Sequence, residues 1–501
     1  MNCIFGKNTD WRKKLRYVSI AGLLVAVFLP FFLGAHQAGQ EEKHRRLSVR
    51  VYLSSPADTT ALHELGLKRF VERSKDYVDV SVSGKQLLEL RQRGYEVALI
   101  VEVDTSGTAP AGWPSVEQIE QRIFELARTH PEICHVFPIG KSAFHRRSIW
   151  ALKISDEPEQ EEDEPSVLFT GGMHAREPLG ILACLRVAEE LVRGYGRKPA
   201  VTEWVRETQI FVVPLVNPDG YDYILSEHVR FPWWRKNLED NDGDGAFDPR
   251  VDGVDLNRNF AFNWSLGGDG RPSSWFYRGP RPFSEPETQA IRDLATQVRP
   301  VAGISFHSHG EAVLYPWTNF SPPVDEKLIR RMAAEMARVA GASKGGHYEV
   351  YPLNGRVGQS SCWLYGALSC LDFTVEVGDQ YFPQIERVPR LVGEAVKTAF
   401  YLLDRVRGTG LSLKVVDGVT QRPLVAAVWI EELGEGPGAR RHTDPFFGRY
   451  RCLLEPGTYT LRIEAPRHAL WRDKVTVAQG KRLDLNVVLT PAEVTASTER
   501  E

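Results

Sequence analysis

The chain lacks the features that would mark a metal ribbon, a disulfide scaffold or a nucleic-acid partner. Six cysteines are spread over 501 residues, and no two stand in a C-x-x-C pair, which excludes a zinc ribbon. Cys3 falls in the N-terminal leader described below, and the remaining cysteines are too sparse for a disulfide-dense fold. Cys362 and Cys370 could bridge in an oxidising compartment; the alternative is that both are small buried hydrophobes. The formal net charge is only −3, so no overall basic field favours nucleic acid. Internal repeats and low-complexity tracts are absent. With 42% hydrophobic and 25% charged residues, the balance is that of a soluble globular chain, long enough for about three domains.

At the N-terminus Arg12, Lys13, Lys14 and Arg16 precede an apolar run from Val18 to Ala35, broken only by Ser19, Gly22, Pro30 and Gly34. Residues 1–35 therefore read as a secretory signal, with a retained membrane anchor as the alternative. Cleavage would remove five basic residues against Asp10 alone and leave a more acidic chain. The expected location is secreted, periplasmic or extracellular, with membrane contact only if the anchor is kept. Residues 45–108 alternate strand-like and helix-like patterns (LSVRVYL, GKQLLELRQRG, YEVALIVEV) and suggest a small α+β module, either a removable pro-segment or an accessory unit. DTSGTAPAG, 104–112, reads as a linker.

Residues 113–407 form the longest unit. Strand patterns in SIWALKIS, PSVLFTGG and TQIFVVPLVN, with the helical GILACLRVAEELVRGYG between two of them, predict an α/β layered domain. Its centre is a mainly parallel mixed sheet flanked by helices. The acidic run 156–165 reads as a solvated loop. Beyond residue 408 only short strands and turn signals follow, which predicts a small all-β sandwich over 409–491.

Four segments carry chemistry. In TGGMHAREPLG, His174 and Glu177 follow a strand, and imidazole and carboxylate at this spacing can converge on one zinc ion if a third ligand joins them. In ISFHSHG a strand ends at His307; His309 points to the same side of an extended chain, so either can be that ligand. Arg235 in WWRKN, with Asn257 and Arg258 in VDLNRNF, are donors suited to a carboxylate or an oxyanion. Glu376 lies in the apolar strand LDFTVEV, where a carboxylate is costly unless it faces a site, as a general base would. Taken singly, each has a bland reading: surface pairs, ordinary ion pairing, a solvent-facing strand position.

Their order does not. H-x-R-E at 174–177, D-x-N-R-N at 255–259, H-S-x(6)-Y-P from His307 to Pro316 and F-T-x-E at 373–376 appear in sequence, and the stretch from Ser115 to Arg407 resembles the zinc carboxypeptidases of the A and B type. The resemblance implies one zinc held by His174, Glu177 and His307, with Asp255 behind His174. It implies an oxyanion contact from Arg235, a clamp on the substrate carboxylate from Asn257 and Arg258, and a peptide contact further from the cut from Arg176. Glu376 would be the proton carrier. The substrates implied are C-terminal ends of peptides or proteins. The C-terminal unit resembles the transthyretin-like, carboxypeptidase regulatory-like sandwich, LEPGTYTLRIEAP being its clearest piece.

Two departures stand out. The tyrosine that closes over substrate in the family has Tyr351 as its candidate, at a longer distance from Trp363, and Ser361 offers no charge to select basic residues. An insertion, LEDNDGDGAFDPRVDG, places Asp240, Asp242, Asp244 and Asp248 as candidate calcium ligands; the final glutamate of such a loop is missing, and a solvated acidic loop is the alternative. The expected activity is that of an exported zinc metallocarboxypeptidase. The alternatives are a related zinc amidase acting on cell-wall peptides or other acyl–amino acid bonds, and an inactive exported binding protein of the same fold.

Overall fold

The computed structural model describes residues 46–99 apart from 54–57, 68–71, 74–76, 94 and 96, and residues 112–492 apart from 227–232, 317–321, 344, 354–356 and 437. The expected leader, 1–35, and nearly all of the expected linker, 104–112, lie outside the described residues. Among the described residues no helix is long and apolar enough to cross a membrane.

The first elements are β1 (Arg46–Tyr52), α1 (Asp58–Glu64), β2 (Glu72–Arg73), β3 (Tyr77–Ser83), α2 (Gly84–Gln92) and β4 (Val97–Leu99). They make a sheet in the order β2-β3-β1-β4, with β1 antiparallel to β3 and β4. Alternate valines, Val49 and Val51 on β1 and Val78, Val80 and Val82 on β3, bury one face against Leu62, Leu87 and Leu90 of the two helices.

The next unit opens with α3 (Val116–Thr129), started by a capping box in which Ser115 Oγ accepts from Gln118 N at 3.2 Å and Gln118 Oε1 accepts from Ser115 N at 2.8 Å. There follow β5 (Cys134–Lys141), β6 (Ser148–Ile154), β7 (Ser166–Thr170), α4 (Pro178–Gly194), α5 (Pro199–Glu207), β8 (Gln209–Val213) and α6 (Pro218–Leu225). The second half holds α7 (Pro286–Val298), β9 (Ala302–His307), β10 (Ala312–Tyr315), α8 (Glu326–Val339), β11 (Glu349–Pro352), α9 (Ser360–Leu368), β12 (Leu371–Glu376) and α10 (Val388–Arg407). The eight strands lie in the order β11-β10-β12-β9-β7-β8-β6-β5. The central four, β12, β9, β7 and β8, are parallel, and antiparallel pairs close both sides. This is the mainly parallel mixed sheet that the strand–helix alternation predicts.

Helices cover both faces, which is why the central strands read as unbroken apolar runs. Val167, Phe169, Ile304 and Phe306 pack in one cluster with Leu179 of α4 and Leu402 of α10. Leu168, Phe211 and Val213 pack in the other with Ile291 of α7 and Leu364 of α9. Cys370 belongs to the second cluster, and Cys362 is buried in a smaller one with Leu314 and Leu353; both fill space as small apolar side chains.

The last elements are β13 (Gly410–Asp417), β14 (Ala427–Ile430), β15 (Arg441–His442), β16 (Arg449–Leu453), β17 (Gly457–Glu464), β18 (Trp471–Val477) and β19 (Arg482–Leu489). Two sheets, β16-β13-β19 and β15-β14-β17-β18, share a core in which Leu411, Leu413 and Val415 meet Val428, Leu461 and Ile463. The expectation that run 156–165 is only solvated is corrected here. Arg449 and Arg451, two apart on β16 and so on one side of it, both bind Asp163: Arg449 Nε at 2.9 Å and Arg451 Nη2 at 2.5 Å. The acidic loop docks the sandwich.

Candidate active site

The site forms where the parallel strands end, the edge at which open α/β sheets leave a crevice. His307 is the last residue of β9 and Glu376 the last of β12, and the two are register partners. Next to β9, β7 runs into a turn through Gly172, whose φ of 60° suits glycine, and the chain then presents His174. Glu177 is the N-cap of α4, and Pro178 takes the first helical position, where its missing N–H costs nothing. Gly180 lets α4 press on the end of β9, since a Cβ there would collide with Phe306 O.

These constraints bring three side chains together. His174 Nδ1 and Glu177 Oε2 are 2.9 Å apart, Glu177 Oε2 and His307 Nδ1 2.8 Å, and the two Nδ1 atoms 3.1 Å. All three residues are buried, at 2%, 3% and 2% exposure. Two ring nitrogens and a carboxylate oxygen thus face one point inside the protein. Such mutual approach of lone pairs is what a shared cation stabilises, and two histidines with one glutamate is a donor set of catalytic zinc, within reach of one ion bound at about 2.0–2.2 Å. His309, the open alternative, is instead exposed and meets the Tyr381 ring edge-on at 4.5 Å.

Charge is arranged around this triangle. Asp255 is fully buried; its Oδ2 accepts from Arg235 Nε at 2.9 Å and its Oδ1 lies 3.3 Å from His174 Nε2. Burial would raise the Asp255 carboxyl, but Arg235, Arg258 and His174 outweigh it and hold it far below the usual range. Burial likewise opposes the Glu177 charge, and the two histidines hold it well below 4.5. His174 is lowered by burial and by Arg235, toward the neutral form in which imidazole serves as a ligand, whereas His307, against the pull of burial, is raised by Glu177. Arg235 Nη1 stands 3.3 Å from His174 Nδ1 and 3.6 Å from Glu177 Oε1, at the edge of the triangle.

Asn257 and Arg258 lie in a 3₁₀ turn started by Asp255, whose side chain accepts from Asn257 N at 3.1 Å. Asn257 Nδ2 is 3.3 Å from His307 Nε2, and its Oδ1 accepts from Ser360 N at 2.9 Å. Arg258 Nη1 donates to Asn257 O at 2.7 Å. The Phe276 ring lies against both guanidinium groups, 5.3 Å from that of Arg235 and 5.7 Å from that of Arg258. Arg176 lies further out, its guanidinium 4.7 Å from the Tyr381 ring and its Nη1 donating to Trp233 O at 3.2 Å.

The remaining expected residues lie apart from the triangle. Tyr351 sits half-buried in β11, opposite Leu314, with β10 and β12 between it and β9, roughly 14 Å of sheet. In the insertion, carboxylate oxygens of Asp240, Asp242 and Asp244 come within 4.8 Å of one another. Asp248 does not join them; Arg250 Nη2 binds it at 2.7 Å. The Asp240 carboxylate accepts from Gly243 N and Gly245 N at 2.7 and 2.8 Å. Sequence reading missed Ser360, Ser305 (Oγ 3.2 Å from His307 Nε2) and Phe276 as neighbours of the site. Single serines at element ends and a lone aromatic carry no periodic signal.

A model of the zinc carboxypeptidase family matches residues 119–397, a span that includes every residue of the site just described. The chain belongs to the zinc carboxypeptidase family. It is a metallocarboxypeptidase, a hydrolase of the zinc-dependent class. A zinc carboxypeptidase of Saccharothrix mutabilis subsp. capreolus is 27% identical over 399 residues, covering 73% of this chain and 89% of that one. Carboxypeptidase B of Rattus norvegicus is 28% identical over 349 residues, covering 65% and 80%. Among solved structures, carboxypeptidase A of Helicoverpa armigera superposes with a TM-score of 0.60 at 22% identity, covering 71% of this chain and 96% of that one, a likeness of fold.

Proposed function

We propose that the enzyme hydrolyses the last peptide bond of peptides that carry a free C-terminal carboxylate, with His174, Glu177 and His307 as zinc ligands. The observation that carries this reading is the buried triangle of two imidazole nitrogens and one carboxylate oxygen, with Glu376 in register beside His307. When bound, zinc supplies Lewis acidity to the scissile carbonyl and to the attacking water. Glu376 accepts a proton from that water as it adds to the carbonyl carbon, and returns it to the amine as the C–N bond breaks. The products are a shortened peptide and a free amino acid. Arg235, fixed by Asp255, aims its Nη1 at the side of the triangle where the oxyanion develops. Asn257 and Arg258 hold the substrate carboxylate, which confines cleavage to the terminal bond. Arg176, stacked on Tyr381, contacts the peptide further from the cut. Asp255 fixes the ring of His174 from behind.

The same reading divides the chain into a leader over 1–35, an N-terminal module over 45–108, the catalytic domain over 113–407 and the sandwich over 409–491, and places the enzyme outside the cytoplasm. The acidic loop at 240–248 has no part in it. The test is release of free amino acids from peptides ending in Phe, Leu, Arg or Glu, with and without a zinc chelator. Chelator-sensitive release of the terminal residue alone supports the reading; cleavage at interior bonds, or release that survives metal removal, defeats it.

A further inference from the structure

The sandwich meets the catalytic domain through a buried arginine–carboxylate pair. Arg441, on β15, is 3% exposed and donates through Nη2 to Asp325 Oδ2 at 2.7 Å. Asp325 is 7% exposed and is the N-cap residue of α8, but its side chain caps no helical N–H. Its Oδ2 accepts a second bond, from Tyr365 Oη at 3.0 Å. Tyr365 is fully buried on α9. The sandwich backbone also runs close to the ring: a Cβ added at Gly438, three residues before Arg441, would lie 3.5 Å from Tyr365 Cε1.

Helix α9 ends in the active site. Its first residue, Ser360, donates through N and Oγ to Asn257 Oδ1 at 2.9 and 3.3 Å. Ser361 Oγ donates to Asp372 Oδ2 at 2.5 Å and lies 3.0 Å from Thr374 Oγ1, on the strand that ends at Glu376. Five residues of helix, about 7.5 Å, separate Ser360 from Tyr365. An α-helix of this length moves as a rod, so fixing the Tyr365 ring fixes the turn that orients Asn257. A buried arginine–carboxylate pair adds little net stability compared with apolar residues of the same shape, but it does fix a register. A docking surface made only to hold two domains together would not need one here, since Arg449 and Arg451 already anchor the sandwich through Asp163.

We infer that Arg441 of the sandwich is a positioning residue for substrate binding, acting through Asp325, Tyr365 and α9 to hold Asn257 in place for the substrate carboxylate. The inference rests on the reading of Asn257 as part of the carboxylate clamp. It gives the sandwich a part in substrate affinity.

The test uses the whole enzyme with Tyr365→Phe, with Arg441→Met, with Arg441→Met and Asp325→Leu together so that no buried charge is left alone, and with Asn257→Ala as reference. On a peptide with a free C-terminal carboxylate, the first three variants are expected to raise KM roughly tenfold while kcat stays within about twofold. Bound zinc should be unchanged. Independently of turnover, hydrogen exchange at the amide of Ser360 should speed up roughly tenfold, with β9 and β12 unaffected. A merely structural role would lower the melting temperature and the active fraction, with KM and Ser360 exchange unmoved; that result overturns the inference. If Asn257→Ala raises KM and the other variants do not, the relay alone is wrong. If Asn257→Ala also leaves KM unchanged, the clamp beneath it is wrong and the relay falls with it.

Discussion

Replacing Asp255 by Asn changes one oxygen into an NH₂ group at a site where both carboxylate oxygens are committed. Oδ2 accepts from Arg235 Nε at 2.9 Å, and Oδ1 accepts from Asn257 N at 3.1 Å and faces His174 Nε2 at 3.3 Å. Whichever way the amide turns, its NH₂ faces a donor. One buried hydrogen bond becomes a repulsion, at a cost of about 1–3 kcal/mol. The Arg235 guanidinium also loses its nearest counter-charge in a site with almost no access to water, and breaking such a pair costs on the order of 3–5 kcal/mol. The two costs overlap, so a loss of about 3–5 kcal/mol is expected, or on the order of 5–10 °C in melting temperature for a domain of this size. His174 loses the group behind it, which in metal sites weakens binding by roughly 10–100-fold. Thermal unfolding followed by circular dichroism, and zinc affinity from competition with a chromophoric chelator, measure the two effects separately. A variant that melts and binds zinc like the parent would show that Asp255 neither supports Arg235 nor orients His174, and would refute the electrostatic account of the site.

Three further outcomes are expected. Arg258→Ala should raise KM for peptides with a free C-terminus by about 10–100-fold, the worth of a charge-assisted hydrogen bond, and steady-state kinetics showing an unchanged KM would reject the clamp. Glu287 is fully buried, and burial with Glu285 nearby raises its carboxyl from 4.5 to about 8. The folded chain thus keeps a proton there that the unfolded chain releases, so this group's contribution to stability falls as pH rises from about 4.5 to 8. Glu287→Gln should therefore raise the melting temperature at pH 8 and change it little at pH 4.5; an equal gain at both would contradict the assignment. Asp163→Ala strips Arg449 and Arg451 of their shared partner and should make the segment joining the sandwich to α10 more open to limited proteolysis, whereas unchanged cleavage would mean the loop does not dock the sandwich.

Much of this was legible in the sequence, and the reason differs by element. The buried strands β7, β8 and β9 announce themselves as apolar runs because helices cover both of their faces. The candidate metal site was legible because a strand-end turn, H-x-R-E followed by proline, fixes His174 and Glu177 within four positions. The choice of His307 over His309 did not follow from alternation, which puts both on one side; it came from the family's spacing to Tyr315 and Pro316, and in the structure His309 turns out to the Tyr381 ring. What stayed hidden depends on contacts far apart in the chain. Asp163 meets arginines more than 280 positions away, and Arg441 meets Asp325 across 116. An acidic loop reads the same whether it is solvated or docked, because the partner that decides lies on another element. Asp240, Asp242 and Asp244 show the opposite case: the D-x-D-x-D spacing is local and readable, and their carboxylate oxygens come within 4.8 Å of one another.

The central claim is that a buried two-histidine, one-glutamate zinc centre works with Glu376 as a proton carrier that is not itself a ligand. The most direct measurement is zinc content and peptide turnover on the same preparation of Glu376→Gln. The account predicts parental zinc content with turnover reduced by at least about 100-fold. Turnover close to the parent's, or loss of zinc along with activity, would contradict it.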